Sequence, residues 1–148
     1  MQQFQIGRQI AVVARLWRVE LDRRLQPCNL SQARFVLLTY LAETAGPLAQ
    51  SDLAERAGIA GPTLVRQLDQ LEAAGLVERR DAPGDRRVKH VSITPAGREA
   101  LGMAEALAIG LRREITQDLS PPAIDALHST LATLLQRLDD IRLSDSPK

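Results

Sequence analysis

Along the opening segment the apolar residues Ile6, Ile10, Val13, Trp17 and Leu21 recur every three or four positions. This spacing predicts an amphipathic helix from about Gln3 to Leu25, ended by Pro27. Ser31 then stands where a helix N-cap belongs, ahead of Phe35, Leu38 and Leu41, and this second helix stops before Gly46-Pro47. A short helix over Ser51 to Ala57, with Gly58 as its stop, is followed by another that opens at Gly61-Pro62 and runs to Ala74 before Gly75. The period then changes. Leu76, Val77 and Glu78 leave as a strand, Pro83-Gly84 turns the chain, and Val88, His90 and Ser92 alternate with Val91 and Ile93 on a returning strand. Thr94 with Pro95 starts a long helix, Ser120-Pro121 repeats that signal for a last helix to about Leu143, and the tail 144–148 reads as disordered.

The pattern predicts a mainly α fold with one small β-hairpin, in a single domain spanning 1–148 without repeats. A lobe over about 31–94 is flanked by outer helices over 1–25 and 95–143. Aromatics make up only 3% of the chain, so the core is built from Leu, Ile, Val and Ala, which suits helix packed on helix. No apolar run approaches the roughly 18 residues of a membrane span. The charged N-terminus lacks a small-residue cleavage site, and Cys28 is the only cysteine, so no intrachain disulfide forms. These features place the chain in the cytoplasm.

Net charge is only +1, so the distribution of charge matters more than its total. Lysine occurs only at Lys89 and Lys148, leaving seventeen arginines among nineteen basic residues. Arg79, Arg80, Arg86, Arg87 and Lys89 cluster on the hairpin, opposed there by Asp81 and Asp85. The two short helices joined at Ala57-Gly58-Ile59-Ala60-Gly61 form a helix-turn-helix pattern. On the second, Leu64, Leu68 and Leu71 face the core, and Thr63, Arg66, Gln67 and Gln70 face outward. Arg pairs bidentately with guanine and Gln with adenine in the major groove, while Thr offers a methyl and a hydroxyl. The same residues also suit a plainly solvated surface. The hairpin weighs for DNA, because a strand pair directly after a helix-turn-helix is a wing, and a narrow minor groove attracts arginine. At the wing tip, Asp85 and Arg87 read as a local salt bridge that shapes the loop, leaving Arg86 free.

The span from Ser51 to Gly97 resembles the MarR family of bacterial regulators, and within it the SlyA branch. The carrying segments are GPTLVRQLDQLEAAGLVERR and the wing pattern D-x-R-x5-[LI]-T-x-x-G, present as Asp85, Arg87, Ile93, Thr94 and Gly97, with Ile93 where Leu is common. LWRVELDRRL followed by Pro27 resembles the same branch. The resemblance implies a winged-helix homodimer on an inverted repeat of double-stranded DNA. It makes Arg66 the groove-facing arginine and Arg86 the minor-groove arginine, with Gly61, Pro62, Thr63, Gln67 and Gln70 completing the DNA-facing set and Asp85 with Arg87 shaping the wing. It also implies a cleft for a small aromatic carboxylate effector, at positions matching Arg15, Trp17, Arg18, Phe35 and Thr39. Two arginines near two aromatics suit a ring bearing a carboxylate, yet Trp17 and Phe35 equally suit the core, with the arginines solvated or paired to Glu20 and Asp22.

The last helix carries Ile124, Leu127, Leu131, Leu134, Leu138 and Ile141 at steps of three and four, a coiled-coil seam. With Ile10 and Val13 on the first helix, it reads as a dimerisation surface rather than intrachain packing. Cys28, outside the first helix, reads as a buried structural thiol. His90 and His128 have no partner at ligand spacing, so no metal site and no cofactor are expected. No phosphate loop, nucleophile elbow or His-carboxylate set is present, so no catalytic residues are assigned and the chain is not read as an enzyme. The alternative to a DNA-binding regulator is a winged helix used for protein contact without specific DNA binding.

Overall fold

The computed structural model describes residues 2–144, in two compact units, one through Gly110 and one from Leu111. Helix α1 (Gln2–Leu25) is anchored at one end only: Ile6, Ile10 and Val13 are exposed, Trp17 is half-buried, and Leu21 and Leu25 are buried. The apolar stripe is therefore core only in the final turns. There Arg23 and Arg24 converge on Glu20, with an Arg23 Nη2 to Oε1 distance of 2.5 Å, and these hydrogen bonds hold its carboxyl at about 2. A single 3-10 turn (Gln26–Cys28) follows, closed by Asn29 at a left-handed φ of 53°. Cys28 lies half-buried in that turn rather than enclosed, because the turn runs along the surface between the buried Leu25 and Leu30.

Helix α2 (Gln32–Glu43) has two N-terminal donors satisfied. Ser31 Oγ accepts from the Arg34 amide at 3.3 Å, as the cap signal predicts, and Asp22 Oδ1 accepts from the Gln32 amide at 2.5 Å. The carboxylate also opposes the positive end of the helix dipole. Phe35, Leu37, Leu38 and Leu41 carry α2 into the core. Next comes β1 (Leu48–Ala49), a two-residue strand unforeseen from the sequence, and then α3 (Gln50–Ala57) and α4 (Gly61–Ala73). Gly58 after α3 and Gly75 after α4 have φ of 63° and 72°, the left-handed values that let each helix stop sharply. Leu53 from α3 and Leu64, Leu68 and Leu71 from α4 meet the α2 leucines in one core.

The wing is longer than its alternation indicates. Strand β2 (Val77–Ala82) and β3 (Asp85–Ile93) pair antiparallel, with Pro83-Gly84 at the turn and Gly84 at φ 83°. The sheet order is β1-β3-β2, and Leu48 opposes Val91. Leu48, Val77 and Val91 are buried, so the base of the wing is continuous with the helical core. Among the described residues no buried side chain is polar or charged.

The wing is welded to the next helix, α5 (Pro95–Thr116), at a tight junction. Thr94 Oγ1 accepts from the Gly97 amide at 3.0 Å and donates to the Gly75 carbonyl at 2.7 Å, while the Thr94 amide donates to the Leu76 carbonyl at 3.0 Å. A Cβ on Gly97 would lie 2.1 Å from the Leu76 carbonyl oxygen and 2.8 Å from Ile93 Cγ1. The first of these is backbone and cannot swing aside. Gly97→Ala should therefore destabilise the chain by about 2–3 kcal/mol. Gly102→Ala, in the same helix with nothing within 4 Å, should gain up to about 1 kcal/mol from helix propensity. Urea midpoints of the two variants check this, and equal midpoints would show that the junction relaxes freely.

Helix α6 (Pro121–Ser144) starts where Ser120 Oγ accepts from the Ala123 amide at 3.4 Å. It has no buried residue: Ile124, Leu127, Leu131, Leu135, Leu138 and Ile141 are exposed and Leu134 is half-buried. Ser144, expected in the tail, closes α6, and 145–148 lie outside the described residues.

Candidate nucleic-acid interface

Helix α4 presents two faces. Leu64, Leu68 and Leu71 are buried, which turns Thr63, Arg66 and Gln70 outward, and all three are exposed. Arg66 makes no hydrogen bond or ion pair among the described residues. Gln67 differs from the expected face: it is half-buried, and its Oε1 is enclosed without a hydrogen-bond partner. The reason is angular. Four residues on from Thr63 and one before Leu68, it sits at the border of the two faces. Gly61 and Pro62 are exposed in the first turn, and Ala60 at the N-cap has no side-chain cap to offer.

The basic cluster of the wing is mostly consumed by carboxylates. Arg79 reaches α4, where Nη2 lies 2.6 Å from both Asp69 Oδ1 and Glu72 Oε2. Its Nε donates to Glu72 Oε2 at 3.0 Å and its backbone amide to Glu72 Oε1 at 3.1 Å. Arg80 pairs with Glu78 at 3.0 Å, and Lys89 pairs with Asp81 across the hairpin. The guanidinium groups of Arg86 and Arg87, both exposed, are left without a partner among the described residues. The wing-shaping contact expected of Asp85 and Arg87 takes another form: Asp85 Oδ1 accepts from the Arg87 backbone amide at 2.9 Å, not from its guanidinium. An Asp two residues before an amide at a turn closes that ring readily, as a local side-chain to backbone bond.

The Arg79 contacts shift both partners. Hydrogen bonds from Arg79 hold the Glu72 carboxyl below its ordinary 4.5, and Glu72 in turn raises the Arg79 guanidinium. A depressed carboxyl contributes stability above its unfolded value and loses it as pH falls through its folded value. Glu72→Gln should cost about 1 kcal/mol near neutral pH, and the gap from the wild type should close once pH drops well below 4.5. Thermal melts across that range check it; a gap that persists in strong acid would assign the loss to packing.

Arg18 lines a cleft of about 390 Å³ with Gln32, Val36, Leu37, Ala57, Gly58 and Ile59. Phe35 is buried in the core, Thr39 Oγ1 donates to the Phe35 carbonyl at 3.0 Å within α2, Trp17 is half-buried, and Arg15 is exposed. The carboxylate near them is taken by Arg23 and Arg24 at Glu20, and Asp22 caps α2. Among the described residues no three His, Cys, Asp or Glu side chains gather as a metal site, and no helix is long and apolar enough to cross a membrane.

The fold that carries these residues is shared with known proteins. A model described as MarR family matches residues 29–88. The transcriptional regulator PA3341 is 37% identical over 91% of this chain and 98% of its own, with a TM-score of 0.79. The transcriptional regulator BldR from Sulfolobus solfataricus is 31% identical over 92% and 96% of the two chains, with a TM-score of 0.83. A mutant MarR from E. coli, solved in complex with operator DNA, is 26% identical over 90% and 96%, with a TM-score of 0.81. In sequence and in winged-helix architecture, the chain belongs to the MarR family of transcriptional regulators.

Proposed function

We propose that this chain is a homodimeric, sequence-specific DNA-binding regulator. It lays α4 in the major groove and Arg86 in the adjoining minor groove of each half of an inverted repeat. The observation that carries this reading is the selective freedom of cations. Arg79, Arg80 and Lys89 are neutralised within the wing and its helix, whereas Arg66 on α4 and Arg86 and Arg87 at the tip stay unpaired and exposed. An exposed arginine face without a protein partner suits a polyanion. The uncapped first turn of α4 adds the amide donors of Gly61 and Thr63, of the kind that receive phosphate. That the E. coli relative was solved in complex with operator DNA supports a DNA-binding reading. LWRVELDRRL near the N-terminus supports placement in the SlyA branch.

The dimer rests on apolar surface. Ile10 and Val13 on α1, and Ile124, Leu127, Leu131 and Leu138 on α6, are exposed in the single chain. Two helices with such stripes are stable in water when a second copy covers them, and a twofold dimer matches an inverted repeat.

Titrating duplex DNA at several salt concentrations tests the function. Phosphate contacts release counterions, so log affinity should fall steeply and linearly with log salt. A slope near zero would favour a winged helix used for protein contact.

A further inference from the structure

Of the wing's basic residues, Arg79 alone turns its guanidinium onto α4. Its side chain is 20% exposed, against 77% for its neighbour Arg80. Strand alternation explains the split: consecutive residues of β2 point to opposite faces, and the face of Arg79 looks at α4. Asp69 and Glu72, three apart on α4, stand on one side of that helix and receive it. The other ion pairs of the hairpin, Arg80 with Glu78 and Lys89 with Asp81, stay inside the hairpin. The chain between α4 and β2 is only Ala74, Gly75 and Leu76, with Gly75 left-handed, and bonds at Thr94 pin that short turn. The base of the wing is held as well by β1 and by the buried Val77 and Val91. The Arg79 bonds add a side-chain tie to α4 itself, where they oppose rocking of the hairpin against that helix.

Resting on the DNA-binding reading above, we propose that Arg79, held by Glu72 and Asp69, is a positioning residue that locks the wing to α4, so that Arg66 and Arg86 reach DNA as one rigid pair. The strut accounts for an otherwise unfavourable choice. Two carboxylates on a helix that approaches a polyanion repel it, and pairing them with Arg79 offsets one of the two charges while using both mechanically. It also accounts for the choice of arginine, whose planar fork serves two carboxylates and holds its direction, as a lysine ammonium does not.

Charge alone and the strut predict opposite signs. Glu72→Ala removes a negative charge near the DNA face, so charge alone predicts tighter binding. The strut predicts binding about three- to tenfold weaker. In that background Arg86→Ala should lose at least about threefold less than it does alone, because a loose wing delivers Arg86 poorly. Arg79→Lys keeps the charge and should resemble Glu72→Ala. These affinities are measured on one duplex at fixed salt. Tighter or unchanged binding by Glu72→Ala, or wild-type binding by Arg79→Lys, overturns the proposal. Hydrogen exchange without DNA supplies the independent readout. In Glu72→Ala the wing amides from Val77 to Ile93 should exchange faster while those of α4 keep their protection, and an unchanged wing overturns the strut. A wild type that binds no duplex ends the DNA-binding reading, and the exchange pattern then decides whether the strut exists.

Discussion

Alanine at Arg66 should cost about 1–3 kcal/mol per half-site and relax base preference at one symmetric pair of operator positions. The expectation follows from an exposed guanidinium, unpaired among the described residues, on the outward face of α4, one turn beyond Thr63. Alanine at Arg86 should act differently. The minor groove separates A·T from G·C and little else, so this loss should be greatest where the flanks are A·T-rich and narrow. Preference inside the half-site should barely change. Arg98 is the control: it is exposed on the first turn of α5 and lines a separate cleft with Glu43 and Pro47. Affinities of the three variants across half-site and flank panels at fixed salt decide between roles. Equal, sequence-independent losses would reduce both arginines to phosphate contacts, and no loss in either would place the DNA face elsewhere.

If the proposed dimer forms through α6, aspartate at both Leu131 and Leu138 should convert it to monomer and abolish operator binding at concentrations where the wild type saturates. The two side chains are 41% and 63% exposed in the single chain, so a charge there costs the isolated subunit little. Inside an apolar seam the same charges are desolvated without a partner, at about 3–5 kcal/mol each, and twofold symmetry doubles the number. Sedimentation velocity reads the assembly and far-UV circular dichroism the helix content. A stable double-mutant dimer that still binds DNA would rule out this seam.

The features legible in the sequence were those carried by one residue or a short period. Ser31, Thr94 and Ser120 announce helix starts because a hydroxyl next to a helical run has few other uses there. Gly58, Gly75 and Gly84 mark turns because the chain must take positive φ at each. Strand β1 was not legible: two residues have no period, and Leu48 is a strand only because Val91 lies opposite. The Asp22 cap was hidden by the ten residues separating it from its amide. Arg86 stands apart in the string as the free tip arginine, but nothing there marks Arg79, which only strand alternation and the carboxylates on α4 set aside. Gln67 fell between faces that a helical wheel divides too sharply.

The brevity of β1 has a consequence for solubility. It covers β3 only at His90 and Val91, so the outer edge of β3 from Asp85 to Lys89 is unpaired backbone, open to another strand. Such an edge invites accretion of further chains wherever its side chains are neutral and flat. Here it carries Asp85, Arg86, Arg87 and Lys89 in five positions, and a second wing laid alongside would bring like charges together. The arginines that suit the wing to a groove thus also keep it from adhering to its own kind before any DNA is present.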